Sequence, residues 1–137
     1  MAAISNIRRA VIRAVKDVGI VAPLITENDG QLPPEDGLWL ELSYLPDNTL
    51  SCGKLRVDSD FRDGTFQISV YEQLNVGTAR VMAAADAINS YFYHGRVLVA
   101  NGQGLQIDKV EVEPGFRTGP YWHQPISVDY QAITPRS

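Results

Sequence analysis

A chain of 137 residues, 45% hydrophobic and 20% charged, has room for one domain that hides roughly two-thirds of the surface its unfolded form exposes, which argues against global disorder. Its formal net charge of -4 has the wrong sign for a whole-surface nucleic-acid binder, although a local basic patch stays open. The single cysteine, Cys52, leaves no partner for an intrachain disulfide and fits a reducing compartment.

The first segment, MAAISNIRRAVIRAVKDVG, has no long apolar core, so it reads neither as a secretory signal nor as a membrane span. It is amphipathic, arginine-rich and free of acids until Asp17, which is also the look of a transit peptide. At about 100° per residue, Ile4, Ile7, Val11, Val15 and Val18 fall in one stripe while Arg9, Arg13 and Lys16 point away. That stripe is mostly β-branched and lacks the Trp, Phe and Leu of a membrane-surface helix, so a folded first helix is the favoured reading. It is predicted from about Ser5, the N-cap, to Val18, with Gly19 ending it.

A loop with Pro23, Gly30, Pro33, Pro34 and Gly37 follows. Leu38 to Leu45 reads as a strand with Leu38, Leu40 and Leu42 on one face and Trp39 and Glu41 on the other. Pro46, Asp47 and Asn48 turn the chain into a weaker strand, Leu50 to Val57, and then a polar stretch, Asp58 to Gly64. With the next strand this makes a hairpin over 46–64 with a long charged tip.

Thr65 to Leu74 is the strongest strand: Phe66, Ile68, Val70 and Leu74 alternate with Gln67, Ser69, Tyr71 and Gln73. Asn75, Val76 and Gly77 then switch the pattern to helical spacing. The second helix begins near Gly77 or Thr78 and ends before Gly95, with Val81, Ala84, Ala85, Ile88, Tyr91 and Phe92 as its apolar stripe. Its far side holds Ala83, Ala87 and Ser90. Two explanations stand side by side: alanine's helix propensity, and close packing against the first helix or a neighbouring subunit.

Arg96 to Ala100 is a short strand, and Asn101 to Gly104 turn the chain. Leu105 to Val112 is a strand whose change of parity implies a bulge. Pro114 to Pro120 is a loop. Trp122 to Ala132 is the last strand; Pro125 cannot donate to a ladder, so this strand is expected to start late or lie at an edge. Residues 133–137 are expected to fray. The whole is one domain, 1–137, of the α+β class: an antiparallel or mixed sheet of about five to six strands with two helices packed on one face.

Reactive chemistry is sparse. His94 and His123 are the only histidines and have no ligand spacing. The cluster Asp58, Asp60 and Asp63 fails the calcium-loop pattern, because Arg62 stands at the fifth position and Ser69 replaces the final glutamate. A solvated turn is the plainer reading. Gly102-Gln103-Gly104 is followed by strand-like sequence, so no phosphate cradle is expected. No GxSxG context exists for a serine, and Cys52 has no base beside it. No catalytic residue, metal or cofactor is expected. Lys54, Arg56 and Arg62 interleave with Asp58, Asp60 and Asp63; this mixture suits a solvated loop or a subunit contact better than a phosphate backbone.

The order of elements resembles the tail terminator (tail completion) proteins of long-tailed bacteriophages. The likeness is carried by the amphipathic first helix, the strand LWLELSYL, and GTFQISVYEQLNVGTARVMAAADAINSYF with its N-x-G-T step into an Ala-rich helix. A Trp-containing strand with a PISVDYQA ending completes it, so it spans about Ile4 to Ala132. The resemblance implies a non-enzymatic homohexameric ring that caps the tail tube, stops its polymerisation and offers a docking surface to the head-tail connector. It also implies DNA passing through without sequence readout, no membrane, assembly in the host cytoplasm and a final place at the head-proximal end of the virion tail. Lys54, Arg56, Asp58, Asp60, Arg62, Asp63, Ala83, Ala87 and Ser90 are then the expected subunit or partner contacts. Two competing readings are a neck or head-completion protein and a small ligand-binding domain or enzyme with an aromatic pocket from Trp39, Tyr44, Trp122 and Tyr130.

Overall fold

Alternating apolar residues on two long segments make the backbone of this structure. The computed structural model describes residues 3–27, 30, 37–45, 48–51 and 59–135. Strand β4 (Ser59–Gln73) pairs antiparallel with β8 (Tyr121–Pro135) along its whole length, from Ser59 opposite Pro135 to Gln73 opposite Tyr121. Around that pair stand β1 (Leu24–Thr26), β2 (Trp39–Tyr44), β3 (Asn48–Ser51), β5 (Val97–Ala100), β6 (Gln103–Val112) and β7 (Phe116–Thr118). The sheet order is β1-β2-β4-β8-β6-β5, with β3 beside β4 and β7 beside β8. All these pairings are antiparallel except β1 with β2, so the sheet is mixed, and it curls into a half-barrel.

Both helices lie on one face. Helix α1 (Ala3–Asp17) packs over β5 and β6, and α2 (Ala79–Tyr91) over β4, β6 and β8. Ile7, Val11 and Val15 from α1 and Val81, Ala84 and Ile88 from α2 meet Phe66, Ile68 and Ile126 in one core. Phe66 and Phe92 meet edge to face at 5.6 Å. The predicted stripes hold, except that Ile4 is 54% exposed at the first turn.

Several expectations on the strands are corrected. β1 and β7 fall where the sequence predicts loop; each is three residues long, too short to show a period. The stretch 59–64, a loop tip by composition, is the first part of β4. Its polar residues are carried into the ladder by β8, which reaches Pro135, so Thr134 and Pro135 do not fray but pair with Asp60 and Ser59. The hairpin exists as β3 against Asp60–Asp63; residues 52–58 lie outside the described residues.

β8 is central, although Pro125 suggested a late start or an edge. On the side away from β4, β6 pairs with β8 only between Ile126 and Gln131, and β7 only between Tyr121 and His123. Pro125 falls in the gap between these partners, so its missing N–H forfeits no ladder bond. Its carbonyl accepts from the Glu113 amide at 3.0 Å. The bulge expected in β6 lies between Ile107 and Lys109. β5 and β6 are joined by Asn101 and Gly102 alone. Both have positive φ, 51° and 81°, which matches a two-residue hairpin turn whose twist suits the flanking strands.

Candidate interaction surfaces

The step from strand to helix is pinned by charge. Glu72, at the end of the core face of β4, is 1% exposed, and its Oε2 lies 2.5 Å from the Arg80 guanidinium in the first turn of α2. The Gln73 amide donates to its other oxygen at 3.0 Å. Thr78, the N-cap, makes no side-chain capping bond, so the Glu72 carboxylate and Arg80 do the fixing there.

On the outward side of α2, Ala83 and Ser90 are exposed and Ala87 is half-buried. Arg80, Met82, Asp86 and Asn89 are exposed on the same helix. The face is therefore less uniformly small and uncharged than the Ala-rich sequence suggests. Of the hairpin contacts, Lys54, Arg56 and Asp58 lie outside the described residues. Asp60, Arg62 and Asp63 sit in β4, between β3 and β8. Asp60, Arg62 and Asp63 thus lie on a different element from Ala83, Ala87 and Ser90.

Helix α1 presents Arg9, Arg13 and Lys16 to solvent. Arg8 lies 3.1 Å from Glu27 and its guanidinium stacks 4.1 Å over the Tyr44 ring. The Tyr44 hydroxyl donates to the Arg8 carbonyl at 3.3 Å. Burial pushes Tyr44 up to about 12, against a smaller opposing pull from Arg8.

The face of the sheet away from the helices carries an aromatic row. Trp39 stacks on Tyr71 at 4.1 Å, Tyr71 on His123 at 4.4 Å, and Phe116 meets His123 at 4.7 Å, so the row crosses β2, β4, β8 and β7. Tyr121 closes one side, edge-on to Trp39 at 5.7 Å. Burial first, and then the Glu41 carboxylate 3.4 Å from its hydroxyl, push Tyr71 up to about 12. Burial lowers His123, because the charged imidazolium loses water there. No local sequence pattern announces this row, and His123 is half-buried within it. The only sequence signal was parity on separate strands; cross-strand register is what joins them.

Beyond the row this face is polar. Thr65 donates to Asp129 at 2.7 Å, Gln67 to Ser69 at 2.9 Å and Ser127 to Glu113 at 3.1 Å. The pocket imagined from Trp39, Tyr44, Trp122 and Tyr130 does not form. Trp39 belongs to the helix-free face, whereas Tyr44, Trp122 and Tyr130 pack with the main core on the other. Among the described residues no group of three or more His, Cys, Asp and Glu side chains is placed to hold a metal, and no helix is long and apolar enough to cross a membrane.

A family model described as phage tail terminator protein matches residues 6–130. The chain belongs to the phage tail terminator family, whose members are structural proteins of the virion. A solved structure at 21% identity covers 92% of each chain with a TM-score of 0.72. A chain from the virion of a native gene transfer agent particle, 16% identical over 97% of each chain, has a TM-score of 0.56. At these identities the two likenesses establish the fold. Among curated proteins none matches.

Proposed function

We propose that this protein assembles with itself into a homohexameric ring at the head-proximal end of the tail. The ring caps the tail tube, stops its polymerisation and presents the interface on which the head-tail connector docks. It is built in the host cytoplasm, works by contact geometry without catalysis or cofactor, and lets DNA pass without sequence readout. The observation that carries this reading is the family match over residues 6–130. A net charge of -4 agrees with it, since a tight phosphate contact is the last thing a conduit for DNA requires. The outward side of α2, with Ala83, Ala87 and Ser90, and the hairpin with Lys54, Arg56, Asp58, Asp60, Arg62 and Asp63 supply contact patches for neighbouring subunits, the tube or the connector.

The test joins mass to function. The purified protein is weighed by light scattering and imaged in negative stain, alone and added to polymerising tube protein. A six-fold ring with a central hole, and tubes that stop growing once it sits on one end, are expected. Tubes that grow unchecked in its presence overturn the capping role. Binding to filled heads and not to tails moves the protein to the neck.

A further inference from the structure

The sheet ends, on both sides, in a strand with nothing beyond it among the described residues: β5 at one end and β1 at the other. Native edge strands are normally blunted by lysine, proline, a bulge or an inward charge. β5 reads Val97-Leu98-Val99-Ala100 and has none of these. Val97 and Val99 are 59% and 53% exposed. The Ile107 amide donates to the Arg96 carbonyl at 2.8 Å, so Arg96, Leu98 and Ala100 turn their backbone groups to β6. By antiparallel alternation the amides and carbonyls of Val97 and Val99 point to the open side. Along the same strand runs a groove of about 170 Å³ whose lining includes Ala10, Arg13, Asp17, Tyr91 and Arg96. Arg96 is held in place, 3.8 Å over the Tyr91 ring and donating to the Tyr91 carbonyl at 3.3 Å.

The β1 end has complementary character. The Leu40 amide donates to the Pro23 carbonyl at 2.8 Å, and Leu24 is in register with Leu40, so parallel alternation turns the Leu24 amide and carbonyl outward. Val21, just before the strand, is 99% exposed, and Glu27, just after it, is exposed and acidic. One edge is thus apolar beside a groove where Arg13 and Arg96 outnumber Asp17, and the other apolar beside Glu27, whose carboxylate holds Arg8 at 3.1 Å.

We infer that copies of this chain join head to tail by strand addition, the open side of β5 in one copy accepting β1 of the next. This deepens the proposed ring and rests on that reading in requiring assemblies larger than a dimer. Strand directions fit: stepping through the pairings, β1, β2, β8 and β5 run in one sense and β4 and β6 in the other. A rotation that carries one half-barrel onto the next keeps that sense, so β1 of the neighbour lies parallel to β5. Such a contact uses two different patches on each subunit and closes into a ring, whereas β5 against β5 about a two-fold leaves both β1 edges open.

The test uses two variants of the full chain, each with one edge spoiled at exposed positions. Val97→Lys with Val99→Lys charges the β5 edge. Val21→Lys with Glu27→Lys turns the β1 end basic against Arg13 and Arg96. Circular dichroism and melting check that both fold. Absolute mass is then measured for the wild type, each variant, and their equimolar mixture. The wild type is expected as a closed oligomer, each variant as a monomer, and the mixture as a one-to-one heterodimer joined by the single intact pair of edges. Variants that assemble like the wild type overturn this contact and leave the ring reading standing on some other interface. A homodimer of the Val21→Lys, Glu27→Lys variant overturns it in favour of a two-fold β5 pairing. A wild type that stays monomeric, with no heterodimer in the mixture, also overturns it, and tube capping by that monomer still decides the ring's role separately.

Discussion

Among the described glycines Gly115 has the least room for a side chain, and replacing it with alanine tests the packing of β8 around it. A Cβ added there lies 2.7 Å from Gln124 Oε1 and Trp122 Cζ2 and 2.9 Å from Trp122 Nε1. Carbon contacts are comfortable at roughly 3.5–4 Å, so the neighbours must yield by about an ångström. Neither can do so freely. Gln124 is 3% exposed and its Nε2 donates to the Glu113 carbonyl. The Trp122 indole nitrogen is buried and its ring packs against the main core. Overpacking of this kind costs about 1–3 kcal/mol, which in a domain of this size lowers the melting midpoint by roughly 4–12 °C. Gly104→Ala is the control, because its nearest atoms are 3.9 Å away. That substitution is expected to change stability by less than about 0.5 kcal/mol. Urea unfolding followed by far-UV circular dichroism and tryptophan fluorescence measures both. If Gly115→Ala is as stable as Gly104→Ala, the loop before β7 shifts aside at no cost and the argument fails.

Arg80→Ala leaves the Glu72 carboxylate buried without its cation and is expected to cost about 2 kcal/mol, less than a fully buried pair because Arg80 itself reaches solvent. Glu72→Gln in the same chain should recover part of that loss; a double variant no better than Arg80→Ala counts against the pair. Tyr44 and Tyr71 both ionise near 12 in the folded chain against about 10 when unfolded, so their contribution is whole below pH 10 and fades as pH rises toward 12. Tyr44→Phe and Tyr71→Phe should therefore flatten the alkaline arm of a stability-against-pH curve, and an unaltered arm refutes the assignment. His123 is lowered when folded, so the unfolded chain takes up its proton first and stability declines as pH falls below about 6.5. His123→Gln should remove that slope from acid titrations followed by circular dichroism. Ala83→Arg with Ala87→Glu, on the outward side of α2, should leave the fold intact but weaken self-association or binding to tails; unchanged mass and tail binding dismiss that face as a contact.

The second helix and the strand before it were legible because a period of two and a period near four each repeat enough times to stand out. Phe66, Ile68 and Val70 face the core, as do Val81, Ala84, Ala85 and Ile88. What stayed hidden depended on partners distant in sequence. Ser59 to Gly64 has a composition that favours a turn, and it becomes strand because 130–135 lies alongside it. Pro125 looks like an edge signal until the gap between β6 and β7 is known. Trp39, Tyr71, His123 and Phe116 come from four strands, and no local pattern states that they share a row. Nor can spacing reveal that β5 and β1 stand at the two ends of the strand order.

The sheet is held unevenly from its middle to its ends. Its middle is locked by the full-length pairing of β4 with β8, covered on one face by helices and tied to α2 through Glu72 and Arg80. Its ends are short strands, three residues in β1 and four in β5, each paired with one strand only among the described residues. Such edges gain most from a further strand, because added ladder bonds satisfy groups that otherwise rely on water. In the proposed ring, a stiff centre would set the angle between neighbours, and the curvature of the sheet, more than any single contact residue, would set the number of subunits. Substitutions that relax that curvature, such as filling the β6 bulge between Ile107 and Lys109, should therefore alter the number of subunits while leaving each edge able to pair.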